Sequence, residues 1–162
     1  MMIELNDKQI ADFFHRSYTA VDGLWFMKIE EKFGFDTALE IDDNVWKVLP
    51  KIQSRMLKAM AGMENGIEAL LECFTTKLTL EGCMFRVERL ENDGGFKVII
   101  NRCPWHDVMV KSGREKLSPK VGKVICNSEY SGWASEFDNN IRFEQLCRIC
   151  EGSETCIIQF SH

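Results

Sequence analysis

The sequence predicts an α+β fold: N-terminal helices followed by ββααββ, with an antiparallel sheet packed against helices. Three observations predict it. Apolar residues recur at three- and four-residue steps through the first half of the chain. From Cys83 the texture changes to alternation of apolar and polar positions. Two alternating pairs, each joined by a turn-rich segment, then flank helical stretches opened by proline, an order that favours adjacent hairpins in one layer with helices on top.

The first helix starts from Asn6 as N-cap, and Ile10, Phe13, Phe14, Ser17, Val21, Leu24 and Ile29 follow at helical spacing until Gly34 stops it. Asp36 caps a second, carrying Ala38, Ile41, Val45, Trp46 and Leu49 to Pro50, where the missing N–H should kink or divide it. It resumes through Ile52, Met56, Leu57 and Met60. Gly62 and Gly66 mark a break, and residues 67–77 read as a third helical element. Phe85 and Val87 alternate with Arg86 and Glu88, and Phe96, Val98 and Ile100 alternate after the turn signal at residues 92–95, which makes a hairpin. Pro104 suits the first position of a helix running to about Gly113, and Ser118 with Pro119 opens another. Along that helix Cys126, Tyr130, Trp133 and Phe137 share one face. Residues 141–150 and 155–161 form a second hairpin. The division expected is a helical region at 1–82 packed on a ligand- and metal-binding part at 83–162, one compact domain overall.

Composition narrows the function classes. At 162 residues the chain is long enough to bury a core without staples. Seven cysteines cannot all pair, and no charged stretch followed by an apolar one opens the chain, so the expectation is a cytoplasmic location with free or metal-bound thiols. No apolar run approaches the 18 to 20 or so residues that cross a bilayer, so no membrane association is expected. The net charge is −5, with the acidic excess confined to residues 1–82, and no basic footprint for nucleic acid is present. The run Lys111, Arg114, Lys116, Lys120 and Lys123 reads as a solvated face.

The chemistry concentrates near the C-terminus, where Glu144, Cys147, Cys150 and Cys156 fall within thirteen positions, preceded by Cys103 and Cys126. Several soft ligands at one spot are what a zinc or iron–sulfur centre needs. If the last turn is residues 151–154, Cys147 faces Ile158 and Ile149 faces Cys156, so Cys147 and Cys156 become diagonal neighbours on one face. Cys150 and Glu144 have the wrong parity unless the strand bulges or ends near Ile149. A further ligand must come from elsewhere, and Cys126 on the inward face of its helix is the first candidate, Cys103 the next. The alternative is that these thiols are small buried hydrophobes.

Glu144-x-x-Cys147-Arg followed by Gly152-x-x-x-Cys156 resembles the C-terminal signature of the 4-vinyl-reductase-type small-molecule-binding domain. That resemblance implies an often dimeric fold in which a structural zinc sits beside a hydrophobic ligand pocket. It also implies Cys126, Glu144, Cys147 and Cys156 as the zinc ligands. Four residues separate Cys147 from Gly152 where the family usually has three, so Cys150 and Cys103 remain alternates. Cys103-Pro104, Ile125-Cys126, Glu129-Tyr130 and Gly152-x-x-x-Cys156 with Phe160 also look like the L-2-amino-thiazoline-4-carboxylic acid hydrolase-like family. The segment from Asp22 to Gly34 looks like a group allied to it. This second resemblance implies hydrolytic opening of a thiazoline ring.

For an enzyme, Cys103 is the candidate nucleophile, since the helix opened by Pro104 favours a thiolate there; His106 reads as a surface or capping residue, with a base for Cys103 or a fourth metal ligand as its alternative roles. For a binding protein, Trp25, Trp46, Tyr130 and Trp133 are the candidate pocket residues, and carboxylates such as Asp22, Glu30 and Asp43 surround the first two. The leading expectation is a homodimeric domain that binds a hydrophobic or amphipathic small molecule and holds a structural zinc. A hydrolase of a small cyclic amide-like or thiazoline substrate is the alternative. An iron–sulfur redox protein or sensor, built on Cys103, Cys126, Cys150 and Cys156, is a second one.

Overall fold

The structure, a computed structural model, describes residues 3–91 and 94–162. Helix α1 spans Asp7–Phe33 behind a capping box in which the Asn6 side chain accepts from the Gln9 N–H and the Gln9 side chain accepts from the Asn6 N–H. Gly34, at φ 87°, ends it. Helix α2 spans Phe35–Trp46 and α3 spans Leu49–Ala61. Pro50 therefore divides the second helical stretch, as its missing N–H requires, by sitting in the first turn of α3 where that N–H has no partner to lose. Helix α4 spans Ile67–Leu80, β1 spans Met84–Arg89 and β2 spans Gly95–Arg102. Helix α5 spans Pro104–Lys111, α6 spans Ser118–Phe137, β3 spans Arg142–Cys147 and β4 spans Cys156–Ser161. Of the first hairpin's turn signal, Asn92 and Asp93 lie outside the described residues.

The α+β class holds. All four strands pair antiparallel in the order β1-β2-β4-β3. The two hairpins thus join through β2 and β4, with Phe96 opposite Phe160, Val98 opposite Ile158 and Ile100 opposite Cys156. Two compact units meet between Asp42 and Asp43 rather than at residue 82. The reason lies in packing: α3 and α4 both lie against α6, so they belong to the unit that carries the sheet.

Within the second unit the core is a single layer between sheet and helices. Leu70, Phe74 and Leu78 of α4 and Tyr130, Trp133 and Phe137 of α6 pack on Phe96, Val98, Ile100, Ile158 and Phe160. Phe74 is its centre, with edge-on ring contacts to Tyr130, Trp133 and Phe160 at 5.5, 5.7 and 5.1 Å. Such pairs add about 0.5–1.5 kcal/mol each beyond area burial. Gly95 lets β2 begin against β4. At φ 147°, a Cβ there would lie 2.0 Å from the Phe160 carbonyl oxygen.

Candidate functional site

Four thiols from four elements converge on the inner side of α6. Cys126 lies one turn beyond Gly122 and shares the face of Tyr130 and Trp133, as its spacing requires. Cys156 opens β4 on the same sheet face as Ile158 and Phe160, which turns its sulfur towards that helix, and the Ile149 N–H donates to the Sγ at 3.2 Å. Cys103 is the N-cap of α5, with the N–H groups of Trp105 and His106 beside its sulfur but no side-chain capping hydrogen bond formed. Cys150 sits in a 3-10 turn at Ile149–Glu151, which brings its sulfur so close to α6 that a Cβ on Gly122 would lie 2.8 Å from it. Cys103, Cys126 and Cys156 also pack against the hydrophobic core.

The thiols also shift one another, and Cys147 contributes to Cys156 as Cys103 and Cys150 do. Burial pushes the Cys126 thiol well above its ordinary value, and Glu129, Cys103, Cys156 and Cys150 push it further. Burial raises Cys156 to about 12, with Cys103 and Cys150 adding to the rise and the Ile149 N–H opposing it. Cys150 is raised by burial, then by Glu151, and Cys103 contributes too. Each pair among the four is thus near enough for a negative charge on one to disfavour a negative charge on the other. A bound cation reverses this logic, because it replaces mutual repulsion with shared attraction and deprotonates the thiols that coordinate it. Among the described residues no three such side chains are already drawn to metal-binding spacing. As neutral thiols they rest on packing contacts, with one backbone N–H, that of Ile149, on Cys156.

The strand register differs from the flat-strand expectation. β3 bulges between Gln145 and Cys147, so Gln145 faces Ile158 but Cys147 faces Ile157, not Ile158. Cys147 therefore takes the parity opposite to Cys156, and its Sγ donates to the Thr155 carbonyl at 3.2 Å. Glu144 pairs with Gln159 and is exposed, on the sheet face turned from the core. The strand ends at Cys147, and the 3-10 turn then carries Cys150 inward, which flat-strand parity does not allow. Cys103 and Cys150, the alternates, lie on the same side of α6 as Cys126.

The nucleophile expectation for Cys103 is corrected in sign. The two N–H groups at the start of α5 do favour its thiolate, but burial outweighs them and the thiol lies above its ordinary value. Of His106, the group beside Cys103 is the backbone N–H; its Nδ1 is buried without a hydrogen-bond partner among the described residues. The pocket aromatics are corrected as well. Tyr130 and Trp133 belong to the core, Trp46 is buried edge-on to Trp105 at 5.8 Å, and Trp25 is exposed on α1. A groove of about 460 Å³ lies elsewhere, between α4 and β1, lined by Leu71, Thr75, Thr79, Phe85 and Val87.

Beside the thiols lies a buried ion triad that the sequence reading missed. The Lys77 ammonium, its side chain 5% exposed, bonds Glu129 and, at 2.7 Å, Glu81. Trp105 donates to Glu81 at 3.4 Å. The two carboxylates hold Lys77 in its charged form against the cost of burial. With one cation and two carboxyls in a dry site, burial pushes Glu129 up so that it retains a proton more readily than an ordinary glutamate. The Lys77 charge also favours thiolates at Cys103 and at Cys83, whose own thiol burial raises to about 12. The signal was available: Leu70, Phe74, Lys77, Leu78 and Glu81 share one helical stripe, so an inward apolar face carried a lysine and a glutamate.

Comparison with known proteins decides the family. The chain belongs to a family of unknown function, DUF6125. Its model matches residues 5–160, which takes in both units and all four converging cysteines. No curated protein and no solved structure matches the chain. Among the described residues, no helix is long and apolar enough to cross a membrane.

Proposed function

We propose that this protein is a thiolate metal-binding domain in which Cys103, Cys126, Cys150 and Cys156 hold one zinc ion in a reducing compartment. The observation that carries the reading is the proximity of these four half-buried thiols, from the start of α5, the middle of α6, the 3-10 turn and the start of β4, on one side of α6. An all-sulfur, four-ligand set with no open position suits a structural ion. The role follows from the elements joined: the ion ties α5 and the second hairpin to α6. Lys77 supports it, since four thiolates around a divalent cation leave a net negative charge that a buried ammonium offsets.

Metal analysis of protein purified without chelator tests the proposal. The expected result is about one zinc per chain, lost on Cys126→Ser together with a lower melting temperature. Absence of stoichiometric metal would overturn it. Iron with inorganic sulfide and visible absorbance would replace zinc by the iron–sulfur reading on the same four sulfurs.

A further inference from the structure

Helix α1 carries an apolar face that the rest of its own unit does not bury. No residue of this 27-residue helix is buried. Ile10, Phe13, Phe14, Ser17, Val21 and Leu24 fall within an arc of about 100° at the helical period, the width of stripe that a helix buries against a partner. Yet Phe13 is 61% exposed, Phe14 65% and Leu24 55%, and Trp25 beside the arc is 67% exposed. With Ile10, Val21 and Met27, these side chains present on the order of 800 Å² per chain, which is one partner's share of a standard protein interface. Lone exposed apolar residues are ordinary, but a continuous face of this size marks an interaction surface.

We propose that this face binds the same face of a second copy, with the two α1 helices antiparallel about Ser17. The residues are self-complementary in that direction. Ile10 meets Leu24 of the second copy and Phe13 meets its Val21, while the small Ser17 at the crossing point lets the helices approach. Asp7, in the first turn, comes beside Lys28 of the second copy near the opposite helix end, so side-chain charges and helix dipoles are both matched. A parallel pair would set Lys28 against Lys28 and Asp7 against Asp7. Lys28 is available for the exchange: its present pair with Glu31, at 2.8 Å, is exposed on both sides and worth little.

Sedimentation and light scattering on the full chain test this. A dimer of twice 18.7 kDa is expected at micromolar concentration. Leu24→Glu and Phe14→Gln should each give monomers whose circular dichroism and metal content match the parent. Asp7→Lys should weaken association at least tenfold, and Asp7→Lys with Lys28→Asp should restore it. Under mild oxidation, a mixture of Ile10→Cys and Leu24→Cys chains should cross-link beyond the level of either alone or of the parent. A monomeric parent at 100 μM, or a Leu24→Glu chain that remains dimeric, would overturn the proposal. Cross-linking of Ile10→Cys alone as strong as the mixture would also overturn it.

Discussion

Replacing Lys77 by methionine keeps the length of the side chain and removes its charge, and it should be among the most damaging substitutions in the second unit. Lys77, Glu81 and Glu129 are 5%, 8% and 7% exposed at their side chains, so water cannot take over from the lost ammonium. Breaking a buried ion cluster by removing one member costs about 3–5 kcal/mol, because the remaining charge stays buried. For a chain of this length that lowers the melting temperature on the order of 10 °C. Thermal and urea denaturation at pH 8 read the loss. As pH falls, the stranded carboxyls of the variant take up protons and cease to be charged, so the deficit should shrink towards pH 5. Neutralising one of them, in Lys77→Met with Glu129→Gln, should recover part of the loss at pH 8. A Lys77→Met chain within 1 kcal/mol of the parent at pH 8 would mean that the triad is hydrated, and the reasoning would fail.

The remaining predictions concern the triad, the thiols and the hairpin junction. Glu129 is raised above its ordinary value of 4.5, so the folded chain keeps a proton that the unfolded chain releases, and its contribution to stability declines as pH rises from there towards neutrality. Glu129→Gln should flatten that decline in a denaturation series from pH 4.5 to 8; an unchanged slope would assign it to other groups. Glu144→Ala should leave metal content and melting temperature within error, and Cys147→Ser should leave metal content unchanged; metal loss in either would restore the ligand set implied by the family resemblance. Gly122→Ala should gain up to about 1 kcal/mol of helix propensity yet lose metal, since its Cβ displaces the Cys150 sulfur 2.8 Å away. Metal binding at the parent level would remove Cys150 from the site. Gly95→Ala should cost at least about 3 kcal/mol in urea denaturation, because neither its φ nor the Phe160 carbonyl leaves room for a side chain. A milder loss would show that β2 can shift against β4.

Much of this fold was legible one element at a time. Periodicity, caps and prolines mark the helices, and alternation marks the strands, because these signals act over a few residues and depend on no distant neighbour. The inward face of α6, with Cys126, Tyr130, Trp133 and Phe137, followed from spacing alone. So did the apolar face of α1. The boundary between the units was not legible, since it depends on α3 and α4 packing against α6, which lies at least 38 residues beyond α4 in sequence.

The thiol site shows where the local reading stops. The sequence by itself determined that seven cysteines cannot all pair within the chain, and that Cys126 faces inward. The tertiary structure alone decided which of them meet. Flat-strand parity joins Cys147 to Cys156, but one extra residue in β3 reverses the parity of everything after it, and a 3-10 turn then delivers Cys150 to a gap that Gly122 leaves in α6. The sign of the Cys103 shift was likewise beyond sequence: the helix start that favours its thiolate is visible in Pro104, whereas the burial that outweighs it belongs to the assembled core. Covalent order fixes which groups each element can present. Long-range packing fixes which of them share a low-dielectric space, and their chemistry depends on that.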